Sequence, residues 1–418
     1  MRPGMRLRSL FPVQRREAAQ VALLAVNVFV LLTTYYVLKV VREPLILIDG
    51  GAEVKAYASA GQAGLLLFVV PVFGAIAARR SRLQIMVSVQ TFFIGCLLAF
   101  YALSRLGVPI GIAFYLWVGV FNVLVVSNFW SFANDLFTQE QGKRLFGIIG
   151  LGASAGAIVG ALVPRALQHH VGMFELMPIA AGGLAVSTVL YAFIDRSDAK
   201  APERTEHMDR SGGFQLVARD RYLRLIAIMV VLATVVNTTG EYVVGKLVTD
   251  GSQTVADPEG YIESFYASYY GAVNVVSALI QGLVVARLLG GLGVRRTLFV
   301  MPLVALASWL VFFARSTVAM VRVTKTAENS FDYSLHNTVR QALFLPTSRD
   351  AKYKAKAAID TFVFRLADVI AGIGVVYVLV HAGAGIHAFA IVNLVLALAW
   401  LAVVARTGRI HDELRVGA

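Results

Sequence analysis

The sequence predicts an all-α membrane protein of twelve transmembrane helices, built as two parallel six-helix halves. Three observations lead there. Apolar residues form 58% of the chain and charged residues 15%, against about 25% charged in soluble domains. Apolar runs recur along the full length. Lysine and arginine fall overwhelmingly on one set of alternating loops.

The runs are 21–41, 58–78, 83–103, 108–133, 147–163, 174–194, 222–244, 266–289, 297–313, 317–345, 357–380 and 386–405. Most reach the roughly 20 residues that a helix needs to cross a bilayer core. Only helices or closed barrels satisfy their backbone in lipid, and these runs lack the alternation of barrel strands. The first run reads as a retained span, because it continues into Lys39-Val-Val-Arg-Glu-Pro44 without a small-residue cleavage site. With both termini assigned to the cytoplasm, the inner segments hold 27 Lys+Arg and the outer loops six: Arg42, Lys55, Arg105, Arg165, Lys246 and Arg315. This positive-inside bias predicts a multi-pass protein of a bacterial inner membrane. It also accounts for most of the net charge of +13, so the basicity reports topology rather than a nucleic-acid surface.

Residues 1–20 read as a basic cytoplasmic N-terminus, 21–194 as the first half, 195–221 as a linker, 222–405 as the second half and 406–418 as a cytoplasmic tail. Across the end of the linker, over 213–222, Phe214, Leu216, Val217 and Tyr222 stand among basic residues, which suits a short interfacial helix. The loops after spans four (136–147) and ten (343–356) both run from acidic to basic and lead into a small-residue span. Related halves at matching positions describe the major facilitator plan, with a central site at mid-membrane. In span five, Gly152, Gly156 and Gly160 lie four apart, a spacing for close helix packing. No strand precedes them and no Gly-Lys-Ser/Thr follows, which argues against a phosphate loop. The single cysteine, Cys96, lies in span three and reads as a packing residue. The adjacent His169 and His170 lack the spacing of a metal site, and no metal or cofactor is expected.

Span ten carries the strongest anomaly. On a helical wheel Arg322, Lys325, Asn329, Asp332, His336 and Arg340 share an arc of about 80°, with Glu328 at its edge. Such a face must meet water, a partner charge or a charged ligand, because a charge left in lipid costs at least about 2.5–3.5 kcal/mol. Lys325 and Glu328 could pair locally, as could Asp332 and His336, which leaves Arg322 and Arg340. With Lys39 and Glu241 added, the set has surplus cations and suits an anion held by guanidinium forks. The candidate substrate-binding residues are Lys39, Glu241, Arg322, Lys325, Asp332, His336 and Arg340. Asp135, Lys143, Arg144, Lys356, Asp360, Arg365 and Asp368 read as gating or structural pairs; Lys356 with Asp360 and Arg365 with Asp368 have helical pairing distances.

Phe129-Trp-Ser-Phe-Ala-Asn-Asp135, Glu140-Gln-Gly-Lys-Arg144, Gly147-Ile-Ile-Gly-Leu-Gly152, Asn237-Thr-Thr-Gly-Glu241 and Lys354-Ala-Lys-Ala-Ala-Ile-Asp360 resemble the ATP/ADP translocase family of intracellular bacteria and plastids. The resemblance implies a major-facilitator-like exchanger of nucleotides that works by rocking of two halves. It places Lys39 at the family's span-one lysine, Glu241 at its span-seven glutamate and Arg340, ahead of Pro346, at its span-ten lysine. The family's span-four carboxylate has no counterpart in Phe114-Tyr-Leu-Trp117, and Asp135 is the nearest acid.

The expected function is therefore exchange of nucleotides, or of a related organic anion, across the bilayer. Two alternatives stay open: a proton-coupled transporter of another anion, with His336 and Asp332 as the relay, or a non-transporting scaffold or sensor. An enzyme is disfavoured, since no nucleotide-binding loop, metal cluster or Ser/Cys–His arrangement is present in the sequence. The oligomeric state is left open, with a monomer among the options.

Overall fold

The computed structural model describes residues 15–77, 81–137, 139–168, 170–196, 212–348 and 351–416. Most of the basic N-terminus, most of the linker and His169 lie outside the described residues, as do the side chains of Lys143 and Arg144. Among the described residues there is no strand, and all twelve predicted runs fall largely on helix. Among those same residues, nine helices are long and apolar enough to cross a membrane by length and composition. One of them, Glu17–Ile76, holds two of the predicted spans. It breaks at Gly51, whose φ of 70° is open to glycine but strained for other residues. Span nine, Val300–Ala314, is apolar but shorter than those nine. Span ten is outside them because of its charge.

Local chemistry explains where the helices start. Ser81 and Gln84 form a reciprocal capping box ahead of span three. The Asp220 carboxylate accepts from Tyr222 N at 2.7 Å and Leu223 N at 3.1 Å and so starts span seven. Asp257 caps span eight, with Pro258 in the first turn. Thr317 caps span ten through Met320 N.

The structure corrects the end of span one. The helix does not stop at Val41 but runs on to the Gly51 break, with Pro44 inside it. A proline can sit within a spanning helix when neighbouring groups satisfy the freed carbonyl. Lys39 therefore lies inside the helix rather than at its end. Arg42 and Lys55, assigned above to an outer loop, are helical, and Lys55 is buried.

The chain forms two compact units. The first comprises Met1–Leu45, Phe68–Thr205 and Glu263–Gly271; the second comprises Ile46–Leu67, Glu206–Ile262 and Ala272–Ala418.

In the first unit, span one packs against span five with almost no side chain between them. A Cβ on Gly152, Gly156 or Gly160 would run into the backbone of Ala25, Phe29 or Thr33 respectively. Thr33 Oγ1 also donates to the Gly156 carbonyl at 3.3 Å. The predicted small-residue seam is thus a backbone-to-backbone contact. Beside it an aromatic column of Phe93, Phe100, Phe114, Trp117 and Phe121 fills the core. A buried polar bridge joins Gln90, Ser187 and Asn27 across spans three, six and one.

In the second unit, span seven (Arg221–Ser252) packs on span twelve (Ile386–Val416), on span ten and on span eleven. Thr239 Oγ1 donates to Asn393 Oδ1 at 2.8 Å inside that packing. The Tyr222 hydroxyl donates to the Leu343 carbonyl at 2.8 Å and lies 3.0 Å from His411 Nδ1. At the end of the predicted linker a short helix forms, Gly213–Arg219, and Phe214 stacks edge-on against Phe362 with ring centroids 5.0 Å apart.

Spans four and ten hold the same place in the predicted halves, and each contains a π-helical turn: Asn122–Val126 and Asp332–His336. Span eleven is π-helical over Ala351–Ala355, Ile359–Val363 and Ile370–Tyr377. A π turn inserts a residue into the α-helical register and is frequent at functional sites.

Candidate functional site

The second unit gathers most of the predicted residues. Span ten begins as an α-helix, Val318–Phe331, then passes through the π turn Asp332–His336 into Asn337–Ala342. The inserted residue rotates everything after it, so the stripe drawn on an ideal wheel does not survive as one face. Four of its members turn towards three different neighbours.

The first group meets span seven. Lys325 Nζ lies 2.9 Å from Glu328 Oε2 and donates to Asn237 Oδ1 at 2.9 Å. Lys325 and Glu328 are 1% and 2% exposed. One turn further on, Asn329 Nδ2 donates to Glu241 Oε1 at 2.9 Å. Between the two partners on span seven sits Gly240, where a Cβ would lie 2.8 Å from Lys325 Nζ and 3.1 Å from its Cδ and Cε. The missing side chain is the space through which the lysine runs. Thr238, on the same stretch, donates to Asp368 Oδ1 at 3.1 Å, and Asp368 Oδ2 lies 3.5 Å from Arg365.

The second group follows the π turn. His336 is buried and meets the Trp400 ring of span twelve edge-on, with centroids 5.4 Å apart. Arg340 faces span eleven, where its Nη2 lies 3.8 Å from Asp360 Oδ1. Asp360 thus has Arg340 as its ion partner rather than Lys356, because helix packing brings the arginine across. Arg340 Nε is buried and, among the described residues, has no hydrogen-bond partner. Arg322, on the first turn and a half of the helix, is exposed. Asp332 is partly buried at the start of the π turn.

The first unit holds a separate charged cluster around Lys39. Its ammonium lies 4.1 Å from the centre of the Tyr270 ring and 5.2 Å from that of Tyr36. Arg42 covers the Tyr115 ring at 4.6 Å and donates through Nε to Glu43 Oε1 at 3.1 Å. The Tyr270 hydroxyl donates to the same oxygen at 2.8 Å. Glu43 is wholly buried. Aromatic faces hold cations by their quadrupole, so this cage steadies two cations beside a buried carboxylate. Arg42, Glu43 and Tyr270 were not among the predicted site residues. Lys39, Arg42 and Glu43 are three and four residues apart, a spacing that places them on one helical face and is visible in the sequence. Tyr270 arrives from another helix, and no local pattern announces it. Asp135 is exposed at the end of span four.

Helices long and apolar enough to cross a membrane, several of them carrying buried charges, define a multi-pass membrane protein, and the solved structures agree on the fold. The nucleoside transporter NupG superposes with a TM-score of 0.65 at 14% identity, over 92% of this chain and 98% of that one. A bacterial homologue of the iron transporter ferroportin, in its inward-facing state, gives 0.68 at 14% identity over 94% and 99%. An auto-inhibited peptide transporter of the POT family gives 0.67 at 12% identity over 93% and 97%. At these identities the likeness establishes the major-facilitator-like fold and nothing finer.

The sequence comparison is more particular. The TLC ATP/ADP transporter family matches residues 112–327, just over half of the chain, and the chain belongs to that family. ADP,ATP carrier protein 1 of Chlamydia trachomatis is 23% identical over 290 residues, covering 58% of this chain and 54% of that protein. ADP,ATP carrier protein 4 of Rickettsia bellii is 22% identical over 286 residues, covering 57% and 54%. The chain spans about half the length of the curated relatives it matches. Its family is one of carriers rather than enzymes.

Proposed function

We propose that this protein exchanges nucleotides, or closely related organic anions, across a membrane by alternating access. The observation that carries this reading is Arg340. In a family of ATP/ADP transporters it holds a partly buried guanidinium, one N–H of which lacks a hydrogen-bond partner among the described residues, at 3.8 Å from a carboxylate that a phosphate can displace. A guanidinium fork matches a phosphate better than a point charge does. Arg322 adds a cation, and Glu241 and Asp332 contact the base or ribose, or release substrate by competing for the cations. Asp360 serves as the counter-charge that Arg340 takes up when the site is empty. The charge bias supports a bacterial inner membrane with both termini in the cytoplasm.

Purified protein in liposomes tests the reading. Uptake of labelled ATP should rise sharply when the lumen is loaded with ADP, as obligatory exchange requires. Folded protein that takes up none of the nucleotides offered, loaded or not, would refute the substrate claim.

One observation favours a second reading. Asp332 and His336 share a single π turn, a place for a proton relay. Proton-coupled movement of another anion predicts uptake driven by a pH gradient without internal substrate.

A further inference from the structure

We propose that Lys325 is a positioning residue for Glu241 and does not itself bind substrate. The proposal rests on the nucleotide-exchange reading, in which Glu241 faces the base or ribose.

Lys325 is 1% exposed, so its ammonium has almost no surface to offer. It already has two oxygen partners, Glu328 Oε2 and Asn237 Oδ1, each at 2.9 Å. A phosphate that claimed it would leave Glu328, 2% exposed, as an uncompensated buried charge. Breaking a buried pair costs far more than keeping it gains. The lysine is therefore committed to the protein.

What it holds is specific. Asn237 and Glu241 are four residues apart on span seven, and Lys325 and Asn329 are four apart on span ten. Each helix thus presents two successive groups on one face. Lys325 binds Asn237 and Asn329 binds Glu241, which makes two polar rungs between the same pair of helices. Gly240 lets the rungs close, since a side chain there would push on three lysine atoms within 3.1 Å. Along a polar seam of this kind, the carboxylate of Glu241 has its direction set by its neighbours before substrate arrives. Such advance ordering is what binding sites need from the residues behind them.

A phosphate ligand and a positioning residue leave different marks. Loss of a phosphate contact weakens every nucleotide alike, whatever its base. Loss of the seam disturbs Glu241 and so alters discrimination between bases. Lys325→Met should cut ATP exchange by about tenfold or more, and it should change the ATP-to-GTP rate ratio in the same direction as Asn329→Ala. In the double variant Lys325→Met with Glu328→Gln, no buried charge remains unpaired, so folding should recover, while the rung to Asn237 stays broken and the altered ATP-to-GTP ratio should persist. An unchanged base preference in Lys325→Met and in the double variant would overturn the proposal.

The melting temperature of each purified variant is read in parallel. Lys325→Met should melt lower than the parent and the double variant should recover; additive losses refute the pairing. This arm needs no transport. A parent protein that moves no nucleotide would refute the substrate reading, and the melting cycle would still decide whether the lysine is committed to Glu328.

Discussion

Arg340 and Lys325 carry the same charge on the same helix, and packing has given them opposite circumstances. Lys325 is closed in by two oxygens at 2.9 Å, whereas Arg340 reaches its carboxylate only at 3.8 Å and keeps a fifth of its side chain exposed. A loosely held, partly exposed arginine can exchange its partner at little cost, and a fully desolvated pair cannot. Arg340→Gln should therefore raise the half-saturating nucleotide concentration by about tenfold, with Arg340→Lys losing less. The concentration dependence of uptake into liposomes checks this. Glu241→Gln retains an oxygen for the Asn329 amide but removes the charge, so it should slow exchange with little change in melting temperature. The Lys325–Glu328 pair was legible in the sequence from its spacing. The Arg340–Asp360 pair was not, because it joins two helices and Lys356 stood at the better local distance.

At the scale of the element, the π turn in span ten decides which residues face which helix. A wheel drawn at a constant 100° per residue gathers six polar residues on one side, yet the structure sends Lys325 and Asn329 to span seven, His336 to span twelve and Arg340 to span eleven. The inserted residue leaves no signature in composition or period, so sequence reasoning had no means to see it. Tyr333 within that turn is exposed. Its deletion should restore a plain α-helix, rotate Arg340 by about 100° and separate it from Asp360. Exchange should be lost, as uptake of labelled nucleotide into loaded liposomes would show. Span five offers the contrasting case. Its glycine spacing was readable, and the structure gives each glycine a backbone facing it. Gly156→Ala should destabilise the protein by about 1–3 kcal/mol, the usual cost of overpacking, as measured by thermal or denaturant unfolding in detergent.

At the scale of the whole molecule, the fold class was the most legible feature. Apolar run length, backbone satisfaction in lipid and charge asymmetry each restrict the answer to a helical bundle, and they act along the entire chain. Site residues come from packing between distant segments, which is why Tyr270 was invisible beside Lys39 while the helices carrying both were evident. Dissipating a pH gradient across the liposome should leave nucleotide exchange unaltered, and a pH-dependent rate of net uptake would favour the relay at Asp332 and His336.

The seam of Gly152, Gly156 and Gly160 bears on how the protein is made. Backbone contact along three successive turns leaves span one unable to roll about its axis, and Lys39 follows Thr33 by less than two turns. Span one leaves the ribosome more than a hundred residues before span five does. During that interval its lysine has a depth in the nascent chain but no compass heading. Span five supplies the heading, so a truncated chain that ends before Gly152 should insert its first spans yet leave Lys39 equally reachable by amine-reactive probes from every side.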